Sequence, residues 1–161
     1  MSTLIISEGN LYACGPNLYK QLGLDDNIPK NILSKVNADK DTYFITISCG
    51  YNHTVALDNE GHLWGCGNNN YCKLGFQDHI NRNVFTKVSC NVGFIIVSCG
   101  FNHTVALDSH GHLWSCGRNF FGQLGLGDNI HRNIFTQVIT VNPSTSFRAV
   151  SCGFNHTVAI D

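Results

Sequence analysis

Charged side chains and long apolar runs are both scarce in this 161-residue chain. Asp, Glu, Lys and Arg together account for 13% of the residues, and the formal net charge at pH 7 is −1. A chain with this charge balance lacks the positive field on which non-specific nucleic-acid binding depends. No apolar run approaches the roughly 20 residues of a membrane-spanning helix. The composition therefore argues against nucleic acids and membranes as partners.

A secretory leader and a helical periodicity are also missing. The opening MSTLIISEGN has no basic segment followed by a long apolar stretch. We therefore expect no secretion and an intracellular location, cytoplasmic or nuclear. No segment repeats its apolar residues with the period of about 3.6 that a helix requires, so helix should be nearly absent.

Cysteine is abundant by contrast, with eight residues. In a reducing compartment we expect free thiols rather than disulfides. Six of the eight recur at two repeat positions, where a small buried residue fits: Cys49, Cys99 and Cys152 at one, and Cys14, Cys66 and Cys116 at the other.

The chain consists of one unit repeated with a period near 50 residues. Its most uniform element reads SCGYNHTVALD at 48–58, SCGFNHTVALD at 98–108 and SCGFNHTVAID at 151–161. A second element reads EGNLYACG, EGHLWGCG and HGHLWSCG, and a third reads PNLYKQLGL, NNNYCKLGF and RNFFGQLGL. Repeats of this length are typical of architectures in which one supersecondary unit stacks on the next.

Each unit predicts four short strands. In the second unit they cover residues 44–47, 53–57, 63–66 and 84–88, with a tight turn at 58–61 whose Asp start and Gly end favour a hairpin. Neither face of the middle strands carries charge, so both faces should be covered by neighbouring sheets. Four-stranded sheets stacked around an axis meet that requirement, and the sequence predicts an all-β fold of β-propeller blades with four antiparallel strands.

The repeat resembles that of the regulator of chromosome condensation family. The family signature is a small pair, Gly, two residues, His, then a small and an apolar residue. The partner element, a Gly before an apolar strand followed by Gly-Gln-Leu-Gly, matches Gly111 to Gly117 and residues 122–125. The resemblance covers almost the whole chain, and it implies a protein-binding propeller in which the signature residues belong to the scaffold: Gly50, His53, Gly100, His103, Gly153 and His156.

The number of repeats departs from the seven-bladed ring that the family implies. We divide the single repeat domain, 1–161, into a partial repeat 1–40, repeats 41–91 and 92–145, and a half repeat 146–161. About three blades fall below the usual minimum of about four. We therefore expect an incomplete or open propeller, unless copies self-associate to close a ring. Three outcomes are compatible with the sequence: an open arc that binds a partner, a self-assembled ring, or a piece of a longer product.

No residue pattern points to catalysis, a metal or a cofactor. Cys49 and His53 have C-x3-H spacing, but a zinc site needs about four convergent ligands, and strand geometry sends the repeated pairs to different blades. We expect each signature His to be buried and bonded to backbone at a blade corner. His62 and His112 each pair with only one cysteine, four residues on, and His110 and His112 should be solvated. Trp64 and Trp114 should lie in the blade core.

The loops are better candidates for binding. Exposed aromatics beside Arg are typical anchors of protein interfaces, and such residues follow the third strand of each unit. The candidate partner-binding residues are Tyr19, Tyr71, Arg118, Phe120 and Phe121. The alternative is that Tyr19, Tyr71 and Phe121 cap the blade core.

These observations predict a non-enzymatic protein-interaction module with an unidentified protein partner. Two alternatives stay open. The family resemblance implies guanine-nucleotide exchange on, or regulation of, a small GTPase, although its exchange loops do not map onto this chain. Unpaired blade edges indicate an assembly protein that forms homo-oligomers.

Overall fold

The regular secondary structure of the described residues consists almost wholly of antiparallel strands. The computed structural model describes residues 2–39, 41–142 and 144–161. In this part of the chain the only helical segment is a short 3-10 turn at Asn70–Cys72. The strands are β1 (Thr3–Ser7), β2 (Asn10–Gly15), β3 (Lys30–Lys35), β4 (Phe44–Cys49), β5 (His53–Asp58), β6 (Leu63–Gly67), β7 (Arg82–Lys87), β8 (Phe94–Cys99), β9 (His103–Asp108), β10 (Leu113–Gly117), β11 (Arg132–Gln137), β12 (Ala149–Cys152) and β13 (Thr157–Ile160).

The strands form four sheets, each a meander in chain order. The two middle sheets have four strands, β4-β5-β6-β7 and β8-β9-β10-β11, while the first has β1-β2-β3 and the last has β12-β13. The all-β prediction and the four-stranded antiparallel blade are confirmed. The sheets do not close into a ring, so the prediction of an open propeller is confirmed as well.

The core lies between successive sheets. One apolar cluster joins Leu57 and Leu63 of the second sheet to Val97 and Ala106 of the third. All six residues of β5 and all six of β9 are buried, so these strands are covered on both faces, as their uncharged sequences predict. Each sheet therefore depends on its neighbours for most of its buried apolar area.

The turn between β5 and β6 has the predicted hairpin chemistry. Asp58 Oδ1 accepts the backbone N–H groups of Glu60 (3.0 Å) and His62 (2.8 Å), while Oδ2 accepts the indole N–H of Trp64 (2.8 Å). Gly61 has φ +85°, a conformation that glycine adopts without strain. Asp108 makes the same contacts in the turn between β9 and β10.

The signature histidines connect successive sheets. His53 Nε2 lies 3.0 Å from Oγ1 of Thr104, and that hydroxyl donates its proton to the carbonyl of Lys73 (2.7 Å). The hydroxyl has only one proton, so Nε2 of His53 must be the donor to it. His103 meets Thr157 in the same way at 3.1 Å. The prediction of a backbone partner is wrong for His53 and His103, because each ring reaches across to a side chain of the next sheet. The prediction of burial is wrong for His156, which is exposed because no described sheet follows the last one.

The signature glycines make room for these rings. A Cβ on Gly100 would overlap the imidazole of His103 and lie 2.7 Å from the carbonyl oxygen of Gly153 in the next sheet. Gly50 stands in the same relation to His53 and to the carbonyl of Gly100. The glycine and the histidine of each signature therefore form one packing unit.

A buried lysine interrupts the repeat. Lys73 stands where the neighbouring units have Gln21 and Gln123, and its side chain is fully buried. Its ammonium donates to Oδ1 of Asn52 and Oδ1 of Asn102, both at 2.7 Å, and so links the second and third sheets. Burial disfavours the charged form and lowers the pKa of Lys73 to about 8.

Substituting Gly100→Ala should destabilise the fold. The added methyl group meets the His103 ring and a backbone carbonyl of the next sheet, and overpacking of this kind costs about 1–3 kcal/mol. Urea denaturation measures the free energy of unfolding. Gly93→Ala is the matched control, because a Cβ there has no heavy atom within 4 Å. Equal free energies for the two variants would contradict the packing assignment.

Lys73 should make stability depend on pH. The folded chain releases the Lys73 proton near pH 8, whereas an unfolded lysine holds it to about pH 10.4. The unfolded state therefore binds more protons in this window, and the free energy of unfolding should rise with pH by up to about 1.4 kcal/mol per pH unit.

The comparison protein is Lys73→Gln, which restores the residue of the neighbouring units. The cysteines are the same in both proteins, so their contribution to the pH dependence largely cancels in the difference between the two profiles. Parallel profiles from pH 8 to 10.4 would show that Lys73 keeps an ordinary pKa in the folded state.

Candidate functional site

One end of the sheets carries the loops of interest, and we call it the loop face. It consists of inner loops, which follow the first strand of the second, third and fourth sheets, and of outer loops, which follow the third strand of each four-stranded sheet and β2 of the first sheet. An antiparallel meander places these two kinds of connection at the same end. Asn52 O accepts the N–H of Asn68 (2.9 Å), and Asn102 O accepts the N–H of Arg118 (2.8 Å). Inner and outer loops therefore form one surface.

In each outer loop the side chain of an asparagine donates a hydrogen bond to a later residue of the same loop. Asn69 Nδ2 donates to the carbonyl of Asp78 (2.7 Å), and Asn119 Nδ2 donates to that of Asp128 (2.9 Å). Arg82 pairs with Asp78 at 2.7 Å and holds the pKa of that carboxyl below its usual value. These contacts hold the loops in one conformation, which lowers the entropy cost of binding a partner.

Four of the five predicted binding residues lie together on the loop face. The guanidinium of Arg118 lies 5.5 Å from the ring centroid of Tyr71, 5.0 Å from that of Phe120 and 5.6 Å from that of Phe121, within the range of cation–π attraction. His131 contacts Tyr71 and Phe120 edge-on, with centroids 5.4 and 5.0 Å apart. We call these five residues the Arg118 cluster.

The cluster combines two sheets, because Tyr71 belongs to the second and the other four residues to the third. Phe121 is 66% exposed, whereas Leu124 of the same loop is buried. Tyr19 occupies the equivalent outer loop of the first sheet and is also exposed. In the described part of the chain no aromatic or cation–π contact joins Tyr19 to the cluster.

A second aromatic group on the inner loops was missed at the sequence level. Phe101 stacks between Tyr51 and Phe154, with ring centroids 4.3 and 4.0 Å apart. Tyr51 is 58% exposed and Phe154 59%, beside an open groove of about 330 Å³. The available signal was the aromatic residue that follows every Ser-Cys-Gly. We call this group the inner stack.

The signature glycines lie in the inner loops and line the groove beside the inner stack, while the rings of His53 and His103 are buried beneath the surface. Gly50, Gly100 and Gly153 contact the rings of His53, His103 and His156, each pair within its own sheet. Burial lowers the pKa of His53 well below its usual value and that of His103 to about 4, so both rings are neutral at pH 7. They are therefore suited to structural hydrogen bonding rather than to proton transfer.

The cysteine pairings with His62 and His112 are not formed. All eight cysteines are free. Cys116 is buried with its Sγ 3.4 Å from the carbonyl of Lys73, while His112 lies with Asp108 at the turn. Burial raises the pKa of Cys66 and Cys116 well above the ordinary value, so these thiols stay protonated.

No helix in the described residues is long and apolar enough to cross a membrane.

Curated relatives match parts of the chain. The Arabidopsis thaliana Ultraviolet-B receptor UVR8 is 31% identical over 86 residues, 52% of this chain and 19% of the relative. The human X-linked retinitis pigmentosa GTPase regulator is 34% identical over 91 residues, 55% of this chain and 9% of the relative. The human Regulator of chromosome condensation is 36% identical over 75 residues, 44% of this chain and 17% of the relative. The matched region is thus a small share of each relative.

Solved structures match over nearly the full length. Prp20p from Saccharomyces cerevisiae superposes with a TM-score of 0.88 at 20% identity, covering 98% of this chain and 41% of that one. Human WBSCR16 superposes with a TM-score of 0.86 at 22% identity, covering 98% and 42%. These likenesses establish the fold, and this chain spans about two fifths of each structure.

Two family models described as Regulator of chromosome condensation (RCC1) repeat match the sequence. One covers residues 44–71 and 94–123. The other covers 8–57, 60–107 and 110–160, which is most of the chain. The chain belongs to the regulator of chromosome condensation (RCC1) repeat family.

Proposed function

We propose that this protein is a non-enzymatic interaction module that binds a protein partner through the loop face. The observation that carries the proposal is the gathering of exposed aromatic side chains around Arg118. Exposed apolar groups larger than single side chains mark interaction sites, and aromatic residues with Arg dominate the binding energy of interfaces.

The loop face offers two separate groups of binding anchors. The inner stack lies on the inner loops and the Arg118 cluster on the outer loops. Exposed isoleucines extend the apolar surface at the tips of three successive outer loops: Ile28, Ile80 and Ile130. Such a surface fits a partner with several apolar contacts.

Arg118 sets the charge expected of that partner. In the described residues Arg118 forms no ion pair with a carboxylate, so its charge remains available to a partner beside the aromatic rings. A carboxylate is the strongest acceptor for a guanidinium. The partner should therefore present an Asp or Glu next to its apolar contacts.

A small GTPase is the second candidate partner. Two relatives point in this direction by name, since one is a GTPase regulator and the structure of Prp20p was described with its binding properties to Gsp1p and histones. Those interactions belong to those proteins. For this chain, regulation of a GTPase remains a narrower form of the interaction proposal.

Assembly through blade edges stays a prediction. In the described residues β1 pairs only with β2, and β13 only with β12, which leaves one edge of each strand unpaired. The mass of the purified chain in solution tests this alternative, because a monomer has 17.7 kDa.

Removing the Arg118 cluster should abolish partner capture. We expect Arg118→Ala combined with Phe121→Ser to lose most binding, because interface anchors of these types contribute about 2 kcal/mol or more each. The measurement compares cross-linked partners of the wild type and of this variant by quantitative mass spectrometry.

Ile139→Ser is the matched control. Ile139 is 88% exposed and follows β11, at the end of the sheets opposite the loop face. The control should retain the partners that the double variant loses. Equal capture by all three proteins would refute the loop face as the binding surface.

The GTPase form of the proposal has its own assay. Purified small GTPases loaded with a fluorescent guanine nucleotide are mixed with the wild type or with the double variant. Faster nucleotide release with the wild type alone would support it. Unchanged nucleotide release with every GTPase, together with capture of another protein, would contradict GTPase regulation and still support the interaction module.

A further inference from the structure

A cluster of metal-ligating side chains lies at the end of the third sheet opposite the loop face. It occupies the turn between β9 and β10, which reads Asp108-Ser109-His110-Gly111-His112. One ligand atom from each of Asp108, His110 and His112 lies within 4.8 Å of the other two. No other group of three such residues is found in the described part of the chain. The loop face plays no part in this site.

The turn holds the cluster in place. Asp108 Oδ1 accepts the N–H groups of His110 (2.8 Å) and His112 (2.9 Å), and Oδ2 accepts the indole N–H of Trp114 (3.0 Å). The carboxylate is buried, whereas both histidines reach solvent. The backbone and the carboxylate are therefore already positioned, and only the imidazole rings need to rotate.

The distances suit a first-row transition metal. Zinc bonds to His nitrogen and carboxylate oxygen are about 2.0–2.2 Å long, so two ligand atoms of a tetrahedral site lie about 3.3–3.5 Å apart. His112 Nδ1 is already 3.1 Å from Asp108 Oδ2, and the His110 ring stacks beside that of His112 with centroids 6.0 Å apart. The His110 side chain is exposed and would have to rotate to bring a ring nitrogen to the distance that a bound metal requires.

The second sheet provides an internal comparison. Its equivalent turn has Asp58, Glu60 and His62, with His62 Nδ1 3.2 Å from Asp58 Oδ2. The contact between Asp and the second His therefore belongs to the repeat. Glu60 stands where the third sheet has His110, so only the third sheet offers two imidazoles, the ligand type that zinc, nickel and copper favour.

A cavity adjoins one end of the turn. It has a volume of about 190 Å³ and is lined by Gly111 and His112 together with Thr140 and Thr145, but not by Asp108 or His110. Catalytic and transport-type zinc sites commonly leave one position to water or to a partner. An open fourth position here fits a site that is incomplete until water or another molecule joins it.

We propose that Asp108, His110 and His112 bind a divalent transition-metal ion, with zinc as the best fit. This departs from the expectation that the two histidines are simply solvated. The turn spacing alone did not show that the buried carboxylate of Asp108 faces the same point as both rings.

The test titrates Zn²⁺ into the full chain under reducing conditions and follows the side-chain nitrogen signals of histidine by NMR. Zn²⁺ should shift the signals of His110 and His112. His112→Gln and His110→Gln should each weaken the affinity about tenfold or more, because each removes a ligand and loss of even a residue that only orients a ligand typically costs about that much.

His62→Gln is the matched control, and it should leave the affinity unchanged. Cysteine binding is excluded with Co²⁺, because thiolate ligands add an intense charge-transfer absorption that nitrogen and oxygen ligands lack. Absence of Zn²⁺-dependent shifts at His110 and His112, equal affinity in the His112→Gln variant, or a thiolate absorption that accounts for the bound ion would each overturn the proposal.

Discussion

The structure depends on burying the second strand of each of the two middle sheets on both faces. Strands β5 and β9 are buried along their whole length, and their polar groups must find partners in the neighbouring sheet. The relay from His53 to Thr104 to the carbonyl of Lys73 supplies those partners. Polar groups at such positions are costly unless they are bonded. The relay therefore fixes both the spacing and the register of successive sheets, as expected of a repeat architecture whose units contact only their neighbours.

The loop face follows from that constraint. Because the sheets stack in register, equivalent loops come side by side, and Tyr51, Phe101 and Phe154 stack although each belongs to a different sheet. The same stacking brings Tyr71 of one sheet against Arg118 and His131 of the next. The interaction surface is thus a property of the array rather than of a single blade.

Individual units differ where the shared framework tolerates it. Lys73 replaces glutamine inside the array. Its burial is compatible with the fold because two asparagine side chains accept hydrogen bonds from its ammonium group. His110 replaces a glutamate at a solvated turn, where the framework imposes no packing demand. Substitutions at such positions give one sheet a chemistry that its neighbours lack, while the hydrogen bonds common to all units stay in place.

The sequence by itself determined the repeat, the four strands of a blade, the Asp–Gly turns and the near absence of helix from the described residues. These features depend on local patterns: alternation along a strand, turn residues at fixed offsets, and uncharged middle strands that need cover on both faces. Tyr19, Tyr71, Arg118, Phe120 and Phe121 were likewise identifiable as loop residues from their position after the third strand.

Only the tertiary structure decided which of these residues meet. The sequence does not specify how far one sheet rotates against the next, and that rotation joins Tyr71 to Arg118 while Tyr19 stays apart. It also turned the signature His toward a threonine of the next sheet rather than toward backbone. The stack of Tyr51, Phe101 and Phe154 and the convergence of Asp108 with His110 and His112 arise in the same way, because distances across sheets and around turns are set by packing and not by spacing along the chain.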